Sequence, residues 1–426
     1  MKRILTVLLI IALAMTYTAC GQARDKSSDL SSSPGGFLVK SSAVPDADKQ
    51  ALNSGLTPAN NTNSASALNY TDVRAIWLSY IDLAPMLTGK TQDQFTGCFE
   101  AACKNISELG CNTVYVHVRP FGDALYDSEL YPCSKYISGF AGRKGTFDPL
   151  EIMVNTAHKY KLSFHGWINP LRLESEDSFA CFDTHYAVKK WFDSSNGYVR
   201  RVSGDKHLWL DPGYSEVRKL IADGAAEIVR KYAVDGIHYD DYFYPTTEED
   251  FDKACYTASK TDRPLSQWRL DNISKMVREI YCAVKSVRND IQVGVSPQGN
   301  IQNNYQYMYA DVKKWGSEQG YVDYMCPQIY FGYDNPVKPF LNTLNEWKSI
   351  VTCDKVILTV GLAVYKISGK EQEFVSNCGI IAKQISDIYA LKCCKGFSLY
   401  AYNNIFAENE RARKELYSIK AYLSKK

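Results

Sequence analysis

Asp235-Gly-Ile-His-Tyr-Asp-Asp-Tyr-Phe-Tyr-Pro245 reads as a short buried strand running into a polar, aromatic turn. Side chains alternate along a strand, so His238 and Asp240 share one face while Ile237 and Tyr239 share the other. The same shape recurs along the chain. Predicted strands are Arg74–Tyr80, Thr113–Val118, Ser163–Ile168, Gly236–Tyr239, Gln292–Val295, Tyr324–Gln328, Val356–Gly361 and Gly396–Leu399. Helical patterns separate them: Phe95–Leu109, Pro149–Lys159, Glu216–Ala233, Trp268–Arg288, Tyr309–Glu318, a piece near Phe340–Lys348, Phe374–Leu391 and Arg411–Leu423. In the third, Val217, Leu220, Ile221, Ala225, Ile228 and Val229 fall on one helical face. About eight strand–helix units in a row predict an α/β protein, a (β/α)8 TIM barrel. A doubly wound sheet would place a glycine-rich turn after the first strand, and none is seen there.

In a barrel one strand parity points inward and the other packs under the helices. Here one parity is polar near the strand ends. The second strand gives Tyr115, His117 and Arg119, the third His165, Trp167 and Asn169, and the fourth His238 and Asp240. The fifth gives Ser296 and Gln298, the sixth Cys326, Gln328 and Tyr330, and the eighth Ser398 and Tyr400. The opposite parity is largely apolar, as in Val114, Val116 and Val118. A polar rim at the strand C-termini is where barrel enzymes keep their chemistry. A single inward histidine is usually a satisfied core residue, but six strands converging on one polar rim favour a site.

Glycosidases work with two carboxyl groups, a proton donor and a nucleophile or base. Asp240 is inward by parity, with His238 as a same-face neighbour expected to orient it or tune its pKa. Asp241, on the other parity, either joins the site or caps the turn. Asp123, in Arg119-Pro-Phe-Gly-Asp-Ala124, is the third acidic candidate; Arg119 beside it is expected to hold a substrate's anionic group or to pair with Asp123. The expected assignment makes Asp240 nucleophile or general base, and Asp241 or Asp123 the acid. His238, His117, Arg119, Asn169 and Gln328 would position a sugar, with Trp167, Tyr242, Tyr330 and Tyr400 as stacking walls. No cofactor is expected. His117, His165, His238 and Asp240 lie on three strands and make a weak metal-ligand pattern. There is no Gly-x-Ser-x-Gly elbow for serine chemistry.

The ends and composition bound the rest. Met1-Lys2-Arg3, an apolar run from Ile4 to Met15 and Thr18-Ala19-Cys20-Gly21 read as a bacterial export signal over residues 1–20. Cys20 is then the lipidated residue, with plain secretion as the alternative. Residues 21–70 are rich in Ser, Asn, Pro and Gly and read as a disordered tether, leaving residues 71–426 for the barrel. Lipid anchoring would place the chain on the outer side of the cell membrane. The net charge of +2 argues against a nucleic-acid partner, and a monomer is expected. Thirteen cysteines, twelve besides Cys20, are scattered without a Cys-x-x-Cys pair, so buried free thiols are expected rather than a disulfide framework.

Read together, the motifs resemble the glycosyl-hydrolase-like family ten of bacterial exported proteins, from about Val73 to Asn404. They are Val73-Arg-Ala-Ile-Trp77, Asn112-Thr-Val-Tyr-Val-His-Val-Arg-Pro120, Gly122-Asp-Ala-Leu-Tyr126, Trp167-Ile-Asn-Pro170 and Trp209-Leu-Asp-Pro212. The strand-four stretch, Val295-Ser-Pro297, Pro327-Gln-Ile-Tyr330 and Gly396-Phe-Ser-Leu-Tyr400 complete the set. The resemblance implies a (β/α)8 barrel and a glycosidase, with cell-wall glycan as a substrate class. Many glycosidase barrels pair an acid on strand four with a glutamate on strand seven. Here strand seven ends Gly361-Leu-Ala-Val-Tyr365, without a carboxylate. A non-catalytic carbohydrate-binding surface lipoprotein is therefore the competing expectation, and a metal-dependent deacetylase or amidase a third.

Overall fold

The computed structural model describes residues 66–425. β1 (Val73–Leu78), β2 (Thr113–Arg119) and β3 (Ser163–Ile168) come first. An insertion follows, with β4 (Arg172–Ser175), β5 (Val199–Arg201) and β6 (His207–Leu210). The barrel resumes with β7 (Gly236–Tyr239), β8 (Gln292–Val295), β9 (Tyr324–Met325), β10 (Ile357–Ala363) and β11 (Cys394–Tyr400). Eight of these strands close in the order β1-β11-β10-β9-β8-β7-β3-β2, with every pairing parallel. This is the expected (β/α)8 barrel, and each predicted strand corresponds to one of its staves.

Alternation splits the buried residues into two cores. The outward parity of the strands, including Val114, Val116, Phe164, Ile168, Ile237 and Tyr239, packs under the helices in one large apolar cluster. Inside the barrel a smaller cluster joins Val73, Ala75, Trp77, Tyr115, Trp167, Tyr324 and Cys326. Two strand glycines make room for it. A Cβ on Gly236 would sit 2.4 Å from the His165 ring, and one on Gly294 would sit 1.9 Å from the Tyr324 ring.

Local signals set the helix ends. Thr91 and Gln94 form a capping box on Gln92–Leu109, which stops at Gly110 with φ 93°. Asp148 caps Pro149–Lys159 by accepting from the Leu150 N–H, with proline in the first turn. The predicted helix Phe374–Leu391 is instead two pieces, Gln372–Ser376 and Ile380–Ala390, parted at Gly379 with φ 88°. The predicted Tyr309–Glu318 starts late, as Val312–Ser317, because Tyr309 lies at φ 53° and Asp311 caps the next turn.

The insertion was not anticipated. It forms a three-stranded antiparallel sheet in the order β4-β6-β5, standing at the mouth of the barrel between β3 and β7. Residues 66–70, expected to belong to the tether, are bound to the N-terminal face of the barrel. The Ala67 N–H donates to Asp290 at 2.8 Å, the Leu68 N–H to Asp235 at 2.6 Å, and the Tyr70 hydroxyl to the Lys161 carbonyl at 2.6 Å. The export signal, Cys20 and residues 21–65 lie outside the described residues. Among those described, no helix is long and apolar enough to cross a membrane. The twelve described cysteines are all free thiols, Cys103 and Cys326 buried and Cys98 exposed.

Candidate active site

Inward side chains stack in layers along the barrel axis. The deeper layer is a hydrogen-bonded aromatic relay. The Trp77 indole N–H donates to His238 Nε2 at 3.0 Å, and His238 Nδ1 lies 2.9 Å from the Tyr324 hydroxyl. The same hydroxyl lies 2.9 Å from His165 Nδ1. Tyr115 stacks on His238 with ring centroids 4.1 Å apart. An indole N–H only donates, so Nε2 of neutral His238 is an acceptor and its proton sits on Nδ1, facing Tyr324. The Tyr324 hydroxyl then accepts from His238, and it also meets the Tyr115 hydroxyl. Burial drives His238 well below the usual histidine pKa, and His165 down to about 4, so both are neutral at pH 7. His238 is thus committed to the relay and is not the partner of Asp240, contrary to expectation.

The layer above is the rim. His117 stacks flat on Trp167, centroids 3.6 Å apart and planes 6° apart. Tyr400 closes the side towards β10 and β11, 6.4 Å from Trp167 and stacked on Tyr330 at 5.9 Å. Asn169 accepts from the Arg172 backbone N–H at 3.2 Å. Gln328 donates to Asp241 at 3.1 Å and to the Ser296 carbonyl at 3.0 Å. Asp240 is buried and Asp241 half-buried. On the insertion side Tyr242 meets Trp209, stacked at 6.0 Å, and the Arg172 guanidinium, 3.7 Å from its ring centroid.

What marks this rim is the number of buried polar atoms without a partner. Both ring nitrogens of His117, Asn169 Nδ2, Arg172 Nε and Ser296 Oγ make no hydrogen bond, while the Trp167 indole N–H is aimed at the Asp240 carboxyl. Buried polar atoms are rarely left so; others occur elsewhere, as at Arg74 and Tyr126, but these gather at one strand-end face.

The two strand-end carboxyl groups differ. Burial, then the neighbouring Asp241 charge, pushes Asp240 up to about 8, with Arg172 pulling in the other direction. Burial also raises Asp241, but hydrogen bonds from Gln328 and Gln298 and the Arg172 charge favour its ionised form. Asp240 therefore holds its proton more tightly than Asp241, which is the better stabilised carboxylate. His117, lowered by burial first and then by Arg172 and His238, is neutral.

Two expected members stand apart. The β2–β3 pairing shifts register between His117 and Arg119, which breaks the alternation there. Arg119 turns out of the barrel under the helix Ser215–Lys231. Its guanidinium lies 4.3 Å from the Tyr131 ring, and a Cβ on Gly224 would come within 2.2 Å of Nη1. It neither reaches the rim nor pairs with Asp123. Asp123 is fully buried in its own loop, accepting from the Phe121 N–H at 2.9 Å. Burial and then Glu174 push it up to about 7, and Lys135 ties Glu174 at 2.9 Å. It belongs to the packing between that loop and β4. Sequence reasoning missed Arg172 and Trp209, because the pattern after Pro170 carried no strand signal. The hints were that Arg172 lies two residues after Trp167-Ile-Asn-Pro170 and that Trp209 opens the Trp209-Leu-Asp-Pro212 motif.

A parallel barrel whose rim joins two strand-end carboxyl groups, unpartnered polar atoms and aromatic walls is a protein of the glycoside hydrolase-like class. The chain belongs to the family described as Glycosyl hydrolase-like 10, whose model matches residues 72–376. It is 29% identical over 381 residues to the glycosyl hydrolase YngK of Bacillus subtilis (strain 168), covering 83% of this chain and 73% of that protein. It is 31% identical over 313 residues to the glycosyl hydrolase DigH of Escherichia coli (strain K12), covering 65% of this chain and 68% of that one. Among solved structures, the PgaB (BpsB) glycoside hydrolase domain from Bordetella bronchiseptica shares the fold. Its TM-score is 0.55 at 10% identity, over 82% of this chain and 98% of that one. The catalytic domain of β-amylase from Paenibacillus polymyxa does so too, with a TM-score of 0.53 at 12% identity, over 85% and 99%.

Proposed function

We propose that the chain hydrolyses O-glycosidic bonds of a polysaccharide, with bacterial cell-wall glycan as its substrate. The observation that carries this reading is the adjacent pair Asp240–Asp241 within a rim of unpartnered polar atoms. Asp240, protonated at neutral pH, donates to the leaving oxygen. Asp241, held by Gln328, acts as nucleophile or base. Trp167, Tyr242, Tyr330 and Tyr400 wall the sugar, and His117, Asn169 and Gln328 position it. Export and lipidation at Cys20 belong to the same proposal, since they would set the barrel beside cell-wall glycan. Fatty-acid labelling of the wild type and not of Cys20→Ser tests that part.

The main test is incubation of the purified protein with peptide-free peptidoglycan strands. New reducing ends are expected. Asp240→Asn should lower turnover by about 10²- to 10⁴-fold, as loss of a general acid does. Activity should follow a bell, falling as pH drops below the Asp241 pKa and again as it rises through about 8. The carbohydrate-binding alternative is favoured by one observation: both rim carboxyls come from a single strand end. Saturable retention on the glycan without product would establish it and overturn hydrolysis.

A further inference from the structure

The inserted sheet sets a cation on the end of the strand that carries the carboxyl pair. Arg172, the first residue of β4, is the strand partner of Trp209 on β6. Both side chains cover the ring of Tyr242, the residue after Asp241, with the guanidinium carbon 3.7 Å from its centroid. The same carbon lies 4.5 Å from the Phe121 ring centroid. Its backbone N–H is fixed to Asn169, and only 9% of the residue is exposed. A guanidinium held against two rings has little freedom. Yet Nε is buried without a partner, and among the described residues no carboxylate closes an ion pair with Arg172 within 4 Å.

Such a cation acts through space on the titratable groups packed around it. The groups around it are Tyr242, Asp240 and Asp241 from the end of β7, His117 from β2, His207 from β6, and Tyr136 from the short helix Lys135–Ser138. Lys135 and Glu174, paired at 2.9 Å beside Asp123, neutralise each other. A cation favours the charged forms of Asp240, Asp241 and Tyr136, but burial holds the Tyr136 phenol neutral, so the two aspartates are the groups whose titration it sets.

We propose that Arg172 is the positioning residue of the carboxyl pair: fixed over Tyr242, it sets a positive charge beside Asp240 and Asp241 and presents Nε–H to the bound glycan. This rests on the hydrolase reading for its substrate, but not for its electrostatic half.

The test compares wild type, Arg172→Gln and Arg172→Lys in the mature protein, by melting temperature, pH–rate profile on peptide-free glycan strands, and 13C carboxyl titration of Asp240 and Asp241. Removing the cation disfavours both carboxylates. In Arg172→Gln both limbs of the bell and both titrations should therefore move up by about one pH unit. Arg172→Lys keeps the charge and loses the planar group, so the limbs stay put and KM rises at least about fivefold. A merely structural role would lower the melting temperature and move neither limb. Folded Arg172→Gln with unmoved titrations overturns the proposal. Should the glutamine variant not fold, the lysine variant decides, an unchanged KM overturning the glycan contact. If the wild type cleaves no glycan, shifted titrations uphold Arg172 while the hydrolase reading falls.

Discussion

His238 shows how one side chain can be placed correctly and still be given the wrong partner. Parity puts it inside the barrel, and it is there, fully buried. But residues two apart on a strand are roughly 6–7 Å apart along it, so they enter different layers. His238 lies with Trp77, Tyr115 and Tyr324, and Asp240 lies one layer higher with Trp167 and Arg172. The two residues should therefore respond differently to substitution. His238→Phe leaves the Trp77 N–H without its acceptor and removes a partner of the Tyr324 hydroxyl. Stranded buried polar groups cost about 1–3 kcal/mol each, so a loss of about 2–4 kcal/mol is expected in urea unfolding. The basic limb of the pH–rate profile should stay in place, because His238 does not set the charge of Asp240. A basic limb displaced in this variant would mean that the two layers communicate.

At the scale of elements, the barrel was legible because each stave has an apolar outer parity and a patterned inner one. Even the two-residue β9 was readable, since Tyr324, Cys326 and Gln328 keep the alternation going past the hydrogen-bonded core of the strand. The inserted sheet was not. β5 has three residues and β6 four, too few for alternation to rise above a loop, and β4 starts two residues beyond Pro170. The bulge that turns Arg119 outward is equally silent, because register is a property of two strands and a sequence lists one at a time. Glycines carry the complementary information. Gly236 and Gly294 sit in neighbouring strands and leave the space that the His165 and Tyr324 rings occupy. Alanine would normally strengthen a strand relative to glycine. Gly294→Ala should instead destabilise by about 1–3 kcal/mol, since its methyl meets a ring fixed by hydrogen bonds to two histidines. Equal or greater stability of that variant would show that the relay can shift without cost.

Over the whole molecule, the buried titratable groups fall into two sets with opposite pH dependence. His117, His165 and His238 are held neutral by burial, with folded pKa values below that of an unfolded histidine. Below about pH 6.5 the unfolded chain takes up protons that these groups refuse, so their contribution weakens as pH falls, for His165 until about 4. Asp123 and Asp211, pushed up to about 7, and Asp240, pushed up to about 8, do the reverse. Their unfolded forms release protons above about pH 4 while the folded forms keep them, so stability declines as pH rises from there through the folded pKa. Between about pH 4 and 6.5 the sets oppose each other, and above 6.5 only the carboxyl set continues to act. Asp240→Asn isolates one member. The stability of wild type relative to this variant should fall steadily between about pH 4 and 8, by at most about 1.4 kcal/mol per pH unit, and level off outside that window. Urea unfolding of both proteins at pH 4.5, 6, 7 and 8 measures it. At neutral pH the asparagine variant should melt at or above the wild-type temperature while losing turnover, the pattern of a carboxyl group kept buried for chemistry at the expense of the fold. Parallel stability curves across the window would mean that Asp240 is ionised in the folded protein, and the proton donor would then have to be sought elsewhere on the rim.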